Sequence, residues 1–128
     1  MANTKSYTDL EQSRKLVELL PLESADQTWA RIAIAGANLD VPEELQYRHN
    51  GDMLFQYYSG IGIPCWSLAA LLDVLPEGVI EDYYAPNLQK EEGKYSIAYG
   101  NEKLLCTADN PVDACYEMII KLHKQKLL

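Results

Sequence analysis

Lys94-Tyr95-Ser96-Ile97-Ala98-Tyr99-Gly100-Asn101, with its continuation into Asp109-Asn110-Pro111-Val112-Asp113, is the stretch that decides the fold class. Tyr95, Ile97 and Tyr99 alternate with smaller side chains and so share one face of a strand over 94–99. Gly100-Asn101 reads as a two-residue hairpin turn, which predicts an antiparallel return through 102–107. The segment 109–113 then combines a cap residue, proline at the first helical position and a carboxylate in the first turn. The helix it opens turns Cys115, Met118, Ile119 and Leu122 inward. Its end carries Lys121, His123, Lys124 and Lys126, cations that complement a helix C-terminus. A hairpin feeding an amphipathic helix places the chain in the α+β class.

The same periodicities extend toward the N-terminus. Residues 64–75 predict a helix entered at Pro64, with Leu68, Leu71, Leu72 and Leu75 on its buried face and Pro76 and Gly78 as stops. Between the two helices, 79–84 reads as an extended, tyrosine-rich stretch and the segment around Pro86 as a loop. Asn50-Gly51 is a strong hairpin signal joining 45–49 to 52–58. Residues 8–20 predict a first helix, with Thr8-Asp9-Leu10-Glu11 in capping-box form and Pro21 as its end. Residues 23–36 fit two patterns: a helix capped at Ser24, or a strand with Ala30, Ile32 and Ile34 on one side, and the strand is preferred. Residues 36–42 then form a loop. The expectation is one domain over 1–128, with about five strands in one small antiparallel sheet packed against about three helices.

Ile63-Pro64-Cys65-Trp66-Ser67 is the segment with the clearest chemical potential. A Cys-Trp pair at a helix start resembles the nucleophile segment of papain-like cysteine proteases, where the helix dipole lowers the thiol pKa. Only 63 residues follow Cys65, against the roughly 130 that separate nucleophile and base in that family. The base would therefore be His49, which precedes Cys65, an order resembling circularly permuted members of the superfamily. Packing of Cys65 under the helix, with His49 beside Asp52 across the turn, explains the same residues without catalysis and is preferred. His123 and Cys115 lie about 12 Å apart along one helix and cannot meet. The three cysteines, Cys65, Cys106 and Cys115, form no Cys-x-x-Cys pair, so reduced, buried thiols are expected rather than a disulfide framework or a metal site. Gly60-Ile61-Gly62 lacks the third glycine and the lysine of a phosphate loop, and no cofactor is expected.

Three blocks resemble uncharacterised small proteins of gut Bacteroidales that occur in phage- and prophage-like regions. They are Leu19-Leu20-Pro21-Leu22-Glu23-Ser24-Ala25-Asp26, the run from Ile63 through Pro76, and Asp109-Asn110-Pro111-Val112-Asp113-Ala114-Cys115. They cover somewhat under half the chain, and the central block is the most specific. The resemblance implies a cytoplasmic accessory protein of a mobile element and transfers no activity and no residue role.

Composition sets the remaining bounds. The 128 residues carry 11 Lys+Arg against 19 Asp+Glu, a formal charge of −8, and 48% are hydrophobic, enough for a core. No apolar run reaches the roughly 18 residues of a membrane span, and the first residues show no apolar signal segment, so no membrane association is expected. The acidic balance argues against a nucleic-acid partner, whose phosphates need Lys and Arg. Lys121, Lys124 and Lys126 lie in the last eight residues, which contain no acid, so removing those three cations leaves −11 on residues 1–120. Nine tyrosines are the compositional oddity; Tyr57, Tyr83, Tyr84, Tyr95 and Tyr99 fall in strand regions and could line an interaction surface. The reading is a non-enzymatic cytoplasmic module that meets a basic protein partner through an acidic, tyrosine-rich face. The alternative is a thiol hydrolase built on Cys65 and His49.

Overall fold

A computed structural model describes residues 5–30, 44–47, 62–78, 85–100 and 104–128. Two compact units contain them: Asp9–Ser67, and Met1–Thr8 together with Leu68–Leu128. Among the described residues there are three α-helices and six strands, all paired antiparallel. The α+β class holds, but the strands form two three-stranded sheets and not one. The reason lies in hydrogen-bond pairing, since each sheet closes on strands of its own unit.

In Asp9–Ser67, helix α1 (Leu10–Leu19) is followed by a 3₁₀ turn at Leu22–Ser24, then β1 (Gln27–Ala30), β2 (Glu44–Tyr47) and β3 (Gly62–Cys65). The sheet order is β2-β1-β3, with Thr28 opposite Gln46 on one side and Pro64 on the other. Among its described residues, Leu16, Leu20, Ala25, Cys65 and Trp66 are buried. The cap of α1 sits one residue later than expected. Asp9 accepts from the Gln12 amide at 2.8 Å, and the Gln12 side chain accepts from the Asp9 amide at 3.1 Å. Both Thr8-x-x-Glu11 and Asp9-x-x-Gln12 match a capping box; Thr8 is instead fully buried. The strand reading of the ambiguous segment holds for 27–30, while 31–36, the loop at 36–42 and the Asn50-Gly51 hairpin lie outside the described residues.

The second unit contains α2 (Leu68–Val74), β4 (Pro86–Glu91), β5 (Lys94–Tyr99), β6 (Leu104–Ala108) and α3 (Pro111–Lys124). Its sheet order is β4-β5-β6, and α3 packs against β5 and β6. On β5, Ile97 and Tyr99 are buried as their alternation demands, and on β6 Leu104 and Cys106 are buried while Leu105 and Thr107 are exposed. The reverse face carries a Ser96 Oγ–Thr107 Oγ1 hydrogen bond of 2.9 Å across the strands. Asn110 caps α3 by accepting from the Asp113 amide at 2.8 Å, with Pro111 in the first turn. Val112, Ala114, Cys115, Met118, Ile119 and Leu122 have no exposed surface, which builds the core the sequence pattern called for.

Three further expectations are corrected. Residues 64–67 are not helical; α2 starts at Leu68, because β3 carries the chain through Pro64 and Cys65. Proline drives its preceding residue to extended backbone, and its missing N–H is tolerated on a strand at the edge of its sheet. Pro86 opens strand β4 rather than sitting in a loop. That strand escapes a periodicity reading because its side chains are exposed on both faces apart from the partly covered Pro86 and Leu88. Finally, Tyr99 pairs with Leu104, so the β5–β6 connection spans four residues, 100–103, and not two.

Candidate functional site

Cys65-Trp66-Ser67 leaves β3 and leads into α2, and its position is set from 41 residues away by Asp26. The Ser67 amide donates to the Asp26 carboxylate at 2.9 Å, and the Ser67 hydroxyl donates to its other oxygen. Trp66 Nε1 donates to Ser24 Oγ at 2.9 Å, and Ser24 Oγ donates to the Pro21 carbonyl at 2.6 Å. The polar groups around the Cys-Trp pair are therefore spent in tying the 3₁₀ turn and its following strand to the exit of β3. Sequence reading assigned Ser24 only the role of a helix cap and assigned Asp26 no structural role. No local signal could have linked them to Trp66 and Ser67.

This environment is the reverse of one that activates a thiol. Cys65 lies in a strand, not at a helix N-terminus, and has no exposed surface. Burial pushes its thiol well above the ordinary range, and the negative charge of Asp26 pushes it further the same way. Both effects keep it protonated, whereas nucleophilic catalysis needs the thiolate. His49, the base of that hypothesis, lies outside the described residues.

Of the five tyrosines read as an interaction surface, Tyr57, Tyr83 and Tyr84 lie outside the described residues. Tyr99 is a correction: it is fully buried, and its hydroxyl donates to the Pro76 carbonyl at 2.7 Å. Burial, with Cys115 nearby, raises its phenol above the usual range. The face of β5 that carries Tyr95, Ile97 and Tyr99 is thus directed into the core toward α3. Tyr95, at the outer end of that face, is half-buried, with the Lys90 ammonium 5.6 Å from its ring centroid.

The described part of the second unit also has an open cavity of about 300 Å³ beside β6 and the end of α3, lined by Cys106, Glu117, Ile120, Lys121, Lys124 and Gln125. Lys121 Nζ donates to the Leu105 carbonyl at 3.2 Å and is thereby committed to the wall. Burial raises the Cys106 thiol, Lys121 opposes the rise and Glu117 adds to it. Cys115, behind it in the core, is pushed up to about 12 by burial and by Cys106. All three cysteines are free thiols and buried. Among the described residues no cluster of three or more His, Cys, Asp or Glu side chains could hold a metal ion, and no helix is long and apolar enough to cross a membrane.

Comparison with known proteins found no matching family model, no matching curated protein and no matching solved structure.

Proposed function

We propose that this chain is a non-enzymatic protein-binding module that engages a basic partner through its carboxylate-rich surface. One observation carries the reading: of the twelve carboxylates that lie outside residues 31–61, 79–84 and 101–103, all but Asp26 and Asp113 are exposed, while every cysteine is buried. The two exceptions are internally engaged, Asp26 with Ser67 and Asp113 with Lys5 at 2.7 Å. The exposed carboxylates among the described residues face outward, where they steer and select partners of opposite charge. The resemblance to small proteins of Bacteroidales phage regions supplies the setting we infer, a bacterial cytoplasm in which the partner is a basic host or phage protein.

The test is retention of lysate proteins on the immobilised chain at about 50 mM and about 500 mM salt, since screening shortens the reach of exposed charges to a few ångströms. Basic proteins are expected to be enriched at low salt and released at high salt. No retention at either salt, or retention indifferent to salt, overturns the proposal.

A further inference from the structure

Strand β4 stands at one edge of the β4-β5-β6 sheet, and among the described residues β5 is its only strand neighbour. An edge strand presents backbone N–H and C=O groups to any extended segment that can reach it. From Gln89 through Lys94 every side chain is exposed, so the hairpin tip stands clear of the core on both faces.

The charges at this tip are not equivalent. Lys94 pairs with Asp109, whereas Lys90 lies over the neutral Tyr95 ring and keeps its charge. Glu91 and Glu92 make no ion pair among the described residues, although Glu91 is directly opposite Lys94 in the register. The tip therefore offers two carboxylates without an ion pair among the described residues, beside a strand edge that no described strand covers. Charged side chains guard an edge against indiscriminate pairing. Here the guard has a sign: it repels a second copy of this acidic chain and attracts a basic strand.

We propose that β4 is the docking edge for a basic, extended segment of the partner protein, which adds to the sheet as a fourth strand with its Lys or Arg side chains beside Glu91 and Glu92. The inference rests on the reading of the chain as a binder of basic proteins and names the surface used.

The probe is a capped hexapeptide of alternating lysine and valine, titrated into the isotope-labelled full chain at about 50 mM and at about 500 mM salt. Expected are saturable amide shifts concentrated in 86–91, and slower hydrogen exchange of β4 amides in the complex. The double substitution Glu91→Lys with Glu92→Lys should weaken binding about tenfold by replacing attraction with repulsion. The same peptide N-methylated on alternate residues, which keeps its charge but cannot complete a ladder, should lose the β4 shifts. Salt-sensitive binding that maps elsewhere, or that survives N-methylation unchanged, overturns the β4 assignment and leaves the electrostatic module standing. Binding at β4 that ignores salt overturns the electrostatic reading and leaves edge pairing standing. Absence of binding at either salt overturns the β4 assignment.

Discussion

Cys65 and Tyr99 show how much a residue's role depends on what is packed around it. Each was a candidate for solvent-facing chemistry, one as nucleophile and one as contact residue, and each has no exposed surface. For Tyr99 the alternation with Ile97 was legible; which side of the sheet α3 covers was not, because that depends on an element that follows a whole strand later. Its phenol is satisfied by the Pro76 carbonyl, a bond with no sequence signal. Tyr99→Phe should lower stability by about 1 kcal/mol, the usual net value of one hydrogen bond. Urea denaturation with an unchanged slope and a lower midpoint is the expected result. An unchanged midpoint would show that the hydroxyl contributes nothing.

At the scale of the element, strands and helices with strong local signals were readable, and those shaped by context were not. Helix α3 was legible from cap to cationic end because capping, proline placement and a 3.6-residue stripe all lie within it. Strand β4 was not, because an exposed edge strand needs no apolar alternation. Its hairpin turn, Glu92-Gly93, was equally hidden. Both residues have positive φ, 51° and 79°, the signature of a type I′ turn, yet the first is glutamate and not the favoured asparagine. Replacing it should relieve strain: Glu92→Asn is expected to raise stability by up to about 1 kcal/mol, since Asn tolerates the left-handed region that other L residues avoid. Gly93→Ala should act in the opposite direction. No atom lies within 4 Å of the added methyl, so any loss measured in urea comes from backbone strain alone.

For the molecule as a whole, the buried acids among the described residues are thiols and a phenol rather than carboxylates. Cys65, Cys106, Cys115 and Tyr99 are all raised, with burial the first cause in each. The unfolded chain releases a thiol proton near 9.0, while folding holds Cys115 protonated up to about 12. Between those values the folded state binds more protons than the unfolded state, so stability falls as pH rises. The urea midpoint should therefore be steady below about pH 9 and decline progressively toward about pH 12. A midpoint that stays level across this window would contradict burial of the thiols.

The net charge and the hydrophobic spacing by themselves determined an acidic α+β protein, three amphipathic helices and the β5–β6–α3 succession. Those features follow from interactions within a few residues, which a linear sequence displays directly. Tertiary structure alone decided that the strands divide between two sheets, that α2 begins at Leu68, and that Cys65 lies buried in β3, its thiol raised by burial and by the charge of Asp26, instead of at a helix start. Each of these depends on pairing and burial between segments far apart in the chain. The 41 residues separating Asp26 from Ser67 are the plainest case: two short polar side chains acquire a joint role only once the fold brings them within a hydrogen bond.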